Sequence, residues 1–171
     1  MLSTTKSGVE MIKAFFKDEK LWRALKTKDN VEAQIQAAQQ IASQAAQLRN
    51  NIATSSSPED WKDFLEHLGK MLIEEHVHSH QAHEIIGGIL VMKELVGVDL
   101  GSHDQKIYRF TNYLRTILET SETHKSKQVI SLAVQTFGDC IANSSETQAR
   151  NIIEQEIPRA LDCRLSSMPT K

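Results

Sequence analysis

A chain of 171 residues with 40% hydrophobic and 25% charged side chains can bury a core without disulfide or metal staples and is too apolar to be disordered. Seven Gly and three Pro exclude a collagen-like or low-complexity chain and favour helix. A formal charge of −2 supplies no global basic field for nucleic acid or anionic membrane, so proteins are the expected partners.

The amino-terminal MLSTTKSG has no apolar h-region, and the longest apolar run, IIGGILVM at 85–92, is far short of a membrane span. The expected location is cytoplasmic. Cys140 and Cys163 stand at helix-like spacing among apolar neighbours, which suits small buried hydrophobes in a reducing compartment.

Apolar residues recur at three- and four-residue intervals, and no stretch alternates with period two long enough for a strand. The first predicted helix runs from about Gly8 to Lys26 with Val9, Ile12, Phe15 or Phe16, and Trp22 or Leu25 on one stripe. The second, about Asn30 to Ile52, buries Val31, Ile35, Ala38, Ile41, Ala45, Leu48 and Ile52, its alanines admitting a close neighbour. SSSPED then marks a helix start, with Ser57 as cap, Pro58 in the first turn and Asp60 at the positive end of the dipole. This third helix buries Trp61, Phe64 or Leu65, Leu68, Met71 and Leu72 and ends near the histidine stretch.

The fourth helix, about Gln81 to Val96, carries Ile85, Ile86, Ile89, Leu90, Met92 and Leu95, and the glycines of GVDLGSHD close it. A fifth, about His103 to Leu118, buries Ile107, Phe110, Leu114 and Ile117 or Leu118. The sixth, about Glu122 to Ala142, uses Val129, Ile130, Ala133, Phe137 and Ile141. Ser145 with Gln148 forms a capping-box pattern before the seventh, about Glu146 to Cys163, where Pro158 predicts a kink or early end. Its Ile152, Ile153, Ile157, Ala160 and Leu161 make an apolar stripe that, if the array is one that continues, the sixth helix alone does not cover, and self-association is then expected.

About seven helices joined by short turns fit either a bundle or antiparallel pairs stacked as an α-solenoid. Pairing the third helix with the fourth and the fifth with the sixth gives a repeat of roughly 45 residues, within the HEAT and armadillo range. The fold class expected is therefore all-α, a HEAT-type α-solenoid.

Among candidate sites, EEHVHSHQAHE at 74–84 offers His76, His78, His80 and His83. Pairs such as His76 with His80, or His80 with His83, could share a metal, but a closed zinc site needs four ligands with supporting contacts, so a solvated interhelix turn is expected and no metal. Gly87 and Gly88 within a helix imply close approach of a neighbour. Arg109, Asn112 and Arg115 share a polar face with Tyr113 at its edge, which reads either as a solvated face or as a partner-binding one, Arg and Tyr favouring interfaces. Cys140 has no nearby His in sequence, the serine runs sit at helix starts, and no Gly-rich phosphate loop or D-F-G motif is present, so no catalytic residue and no cofactor is expected.

GGILVMKELVGVDLGSHDQKIYRFTNYLRTIL, Gly87 to Leu118, carries Gly87, Gly88, Ile89 and Leu90, then Leu95 to Val98, then Arg109, Phe110, Asn112, Tyr113, Leu114 and Arg115. In this order and spacing it resembles the amino-terminal HEAT-repeat region of the TOR (target of rapamycin) serine/threonine kinases. EQEIPRALDC, 154–163, is similar to a further motif of that family, and the resemblance covers about residues 60–165. It implies HEAT-like repeats over 56–165, while helix pattern alone gives an amino-terminal helical pair (1–55) and the sequence SSMPTK a flexible tail (166–171). It also implies an interaction scaffold in growth signalling whose kinase domain lies elsewhere. The partners it implies are Raptor-type or Rictor-type subunits, a small GTPase and a second TOR protomer, with a peripheral place on endomembranes open to the complex. The alternatives from the residues themselves are a HEAT or armadillo adaptor of another pathway, or a metal-binding helical bundle around the histidines.

Overall fold

The computed structural model describes residues 8–53, 58–120 and 126–166, with side chains for 8–51, 59–120 and 126–159. Among these residues the regular structure is helical: α1 (Gly8–Lys17), α2 (Glu19–Ala24), α3 (Val31–Ala53), α4 (Pro58–Leu72), a π-helical turn (Ile73–Val77), α5 (Ala82–Val96), α6 (His103–Glu119), α7 (Lys127–Ala142) and α8 (Glu146–Ser166). The expected Ser57 cap, the start of the sixth segment at Glu122, the side chains of Ile52, Ala160, Leu161 and Cys163, and the tail past Ser166 lie outside the described residues.

The first predicted segment is two helices. Asp18 takes a non-helical conformation and its carboxylate accepts from the Leu21 amide at 3.3 Å, restarting the chain as α2. The apolar stripe continues across this break, which is why periodicity did not register it. Asn30 caps α3 in the same way, accepting from the Ala33 amide at 3.0 Å.

Helices α3, α5 and α7 lie side by side as one row, while α4, α6 and α8 form a second row joined to it by the interhelix turns. This two-layer stack is the α-solenoid expected from the sequence. Helix α5 sits at its centre: every residue from Ile85 to Met92 is buried, because α3, α6, α7 and the π-turn surround it. Ala37, Ala38, Ala42 and Ala45 of α3 are buried and give it a low-relief surface for the helices packed on it, α1, α2 and α5. At the amino-terminal end Phe15, Phe16, Trp22, Trp61 and Phe64 form an aromatic cluster that joins α1 and α2 to α4.

Helix α7 is rotated from its predicted face. Its most buried residues are Val129, Ala133, Thr136 and Cys140, whereas Ile130 is exposed and Phe137 and Ile141 are half-buried. The stripe of small residues meets α5 and α6 closely, and the larger side chains flank it. Pro158 does not end α8, which runs on to Ser166. Glu154, Gln155, Ile157 and Arg159 are exposed, so a carbonyl freed by the proline can be satisfied by water.

Candidate functional site: a cleft between α4 and α6

Two buried polar side chains, Gln34 and Lys106, and the indole N–H of Trp61 fasten the layers, and helix pattern reveals only that Trp61 is buried. Gln34, 1% exposed, donates through Nε2 to the carbonyls of Leu25 at 2.6 Å and His83 at 2.7 Å, tying α3 to α2 and α5. Lys106 of α6 donates through Nζ to the carbonyls of Leu95, Val96 and Val98 at 2.9, 2.8 and 2.5 Å. Leu95 and Val96 are end carbonyls of α5 and Val98 lies in the turn after it, so the ammonium satisfies the helix end and complements its dipole. Burial pulls the Lys106 pKa down to about 8, with Asp99 the chief opposing influence. Trp61 of α4 donates from Nε1 to the Leu100 carbonyl at 2.7 Å, docking the α5–α6 loop on α4. Gly101, in the left-handed region at φ 95°, makes the turn there.

With that loop docked, α4 and α6 stand apart along part of their length and enclose a cleft of about 370 Å³. Leu65, Leu68, Leu72 and Phe110 supply apolar walls, and Lys62, Lys106 and Arg109 supply positive charge, with no carboxylate among the lining residues. Gly69 makes room for the Tyr113 phenol, since a methyl there would sit 3.0 Å from its hydroxyl. Burial raises the Tyr113 pKa against the influence of Arg109, so the phenol stays protonated and able to donate. The groove continues past Gly69, Arg109 and Tyr113 to Glu66, Lys70, Ile73 and Glu74, two of them carboxylates.

The four residues read from the sequence as a possible partner face divide into two pairs. Arg109 and Tyr113 line the cleft, Arg109 reaching the Leu65 carbonyl only at 3.5 Å. Arg115 instead pairs with Glu156 of α8, Nε donating at 2.7 Å, and its Nη1 donates to the Asn112 side-chain oxygen at 2.7 Å. Asn112 and Arg115 therefore hold α8 against α6. Sequence reasoning did not bring Lys62, Leu65 and Gly69 to the site, although alternate-helix stacking, once a solenoid is expected, places α4 beside α6.

The histidines also separate. His76 is buried in the π-turn, its Nδ1 donating to the Glu84 carbonyl at 2.8 Å, which corrects the expectation of a solvated turn. The neighbouring Gly88 allows this, since a methyl there would lie 2.5 Å from the His76 Cβ. His78 and His80 are exposed and His83 is half-buried. Among the described residues no three His, Cys, Asp or Glu side chains are grouped to hold a metal ion. Burial drives the Cys140 thiol pKa up to about 12, so it is a protonated core side chain and not a nucleophile. Among the described residues no helix is long and apolar enough to cross a membrane.

Over 88 residues, 52% of its length, the chain is 32% identical to the serine/threonine-protein kinase tor1 of Schizosaccharomyces pombe. That stretch is 4% of the kinase, so the chain spans a small fraction of the relative it matches. No family profile matches the chain. No solved structure matches it either. Over that stretch the chain is similar to part of a TOR kinase, and its described residues are helical.

Proposed function

We propose that this chain is a protein–protein interaction scaffold of the kind found in the amino-terminal HEAT repeats of TOR kinases, acting in nutrient and growth signalling without catalysis of its own. The observation that carries the reading is the 32% identity to the kinase tor1 over 88 residues of a chain whose helices stack as a solenoid. Solenoids present extended surfaces to partners, and the α4–α6 cleft is such a surface. By this reading the partners are a Raptor-type or Rictor-type subunit, a small GTPase or a second TOR protomer, and the site of action is the cytoplasm or the face of an endomembrane. Sedimentation of the purified chain with a purified Raptor-type or Rictor-type subunit tests this. A stoichiometric complex is the expected outcome, and failure with both subunits overturns the TOR assignment. Because the similarity covers only half of the chain, an adaptor of another pathway built on the same stacked helices is the second reading.

A further inference from the structure

We propose that the cleft between α4 and α6 receives an amphipathic peptide segment of a partner protein, a bulky apolar side chain entering between Leu65 and Phe110 while an adjacent Asp or Glu meets Lys62 and Arg109. This rests on the scaffold reading above and assigns its partner chemistry and the residues that select it.

Charge complementarity carries the choice of occupant. In a chain of net charge −2, the cleft is lined by three cations and no carboxylate. Lys106 has committed its three donors to carbonyls of the α5 end, so it contributes field but no free N–H. Arg109 holds one marginal bond of 3.5 Å, and Lys62 is exposed, so both can turn their donors to an incoming carboxylate. Arg matches a carboxylate with paired N–H bonds, and a partly desolvated site strengthens them. The apolar walls would accept one large side chain, which fits the aromatic or aliphatic anchor that dominates binding in helix-in-groove recognition.

The shape favours a polypeptide over a compact small molecule. Beyond Arg109 and Tyr113 the groove runs on along Gly69 to Ile73, where the exposed Glu66 joins the lining and Lys70 and Glu74 already face each other at 3.8 Å, so an acidic group of the ligand is drawn to the Lys62 end and kept from this one. A ligand seated in the main cleft therefore has a channel in which its chain can continue, with the charge demand confined to the Lys62 end.

Selection of phage-displayed random dodecapeptides on the full chain tests the proposal. Enriched peptides should share a bulky apolar residue with Asp or Glu within one helical turn of it. Their affinity should fall on the order of tenfold in Lys62→Glu and Arg109→Glu. Gln105→Glu is nearly isosteric, exposed and at the cleft mouth; it should weaken binding in the same direction with the melting curve unchanged, which separates charge from folding. The proposal is overturned by enrichment without acidic residues, by no enrichment, by binding that ignores all three substitutions, or by dodecanoate binding where no peptide does. Peptides that obey these rules while no Raptor-type or Rictor-type subunit binds would uphold the cleft and remove the TOR partners. A subunit that binds equally to wild type and Gln105→Glu, with no peptide enriched, would do the reverse.

Discussion

At His76 and its glycine neighbour the local chemistry fixes the sign of two effects. The Nδ1–H donates to the Glu84 carbonyl, which leaves Nε2 as a buried acceptor with no partner. Burial lowers the His76 pKa below 6.5; Lys26 acts in the same direction, while the Glu84 carbonyl bond and the carboxylates of Glu75 and Glu84 oppose it. The unfolded chain thus binds this proton more readily, so the stability of the neutral buried ring is fully present above about pH 6.5 and is lost as pH falls from there toward the folded value. Thermal melts at neutral and mildly acidic pH should show a larger fall for wild type than for His76→Met, and equal slopes would remove His76 as the cause. Gly87 is held more rigidly than Gly88, because a methyl on Gly87 would overlap the Leu25 carbonyl oxygen, which also accepts from Gln34. Alanine would gain about 1 kcal/mol in helix propensity, yet overpacking against backbone costs more. Gly87→Ala should lower stability by about 2 kcal/mol net, and Gly88→Ala by less, because the His76 side chain can yield where backbone cannot. Chemical denaturation of both variants checks the order.

Between elements, the packing of α8 on α6 depends on few contacts, and Arg115 is central to them. Its pair with Glu156, side chains 16% and 30% exposed, is joined by Gln148 donating to the Asp104 carbonyl at 2.7 Å and by Arg159 paired with Glu119 at 3.7 Å, while the ring of His103 holds the turn before α8 through the Asn143 carbonyl at 2.6 Å. Half of the expected capping box is formed: Ser145 accepts from the Gln148 amide at 3.3 Å, while the Gln148 side chain has gone to α6. Glu156→Ala should cost about 1 kcal/mol, and the loss should be local. Amide exchange in α8 is expected to quicken while that of α5 stays as it was; equal acceleration in both would mean that α8 unfolds only with the whole. The helices themselves were legible because burial imposes a three- to four-residue period, and α3, α4 and α6 follow it closely, whereas α5 is buried on all sides and shows as an apolar run. What the period cannot carry is a break that keeps the stripe in phase, as at Asp18, or a polar residue turned inward, as with Gln34, Lys106 and His76. Those residues are placed by carbonyls distant in sequence.

For the molecule as a whole, the all-α solenoid class was legible and the cleft was not. A repeat of roughly 45 residues implied stacked antiparallel pairs, but that α4 and α6 border a gap depends on how the Leu100 loop docks on Trp61. Arg109 and Tyr113 could be picked out by residue type, whereas their separation from Asn112 and Arg115 follows from where α8 lies. The same array leaves apolar surface uncovered: Ile130 and Val134 on α7, at 38% and 56% exposure, and Ile153 and Ile157 on α8, at 42% and 54%. On each helix the pair is four residues apart and therefore lies on one face. Ile152, by contrast, is 5% exposed and carries the packing of α8 on its neighbours. Contiguous exposed side chains of this kind promote association, so the chain is expected to self-associate with rising concentration. Ile153→Glu should shift it toward monomer without altering its melting, because the substituted side chain is already in water and the buried Ile152 is untouched. Sedimentation of both proteins over a concentration series measures this. A wild-type chain that stays monomeric throughout would mean that these isoleucines are tolerated singly at the surface and that the stack is closed at α8.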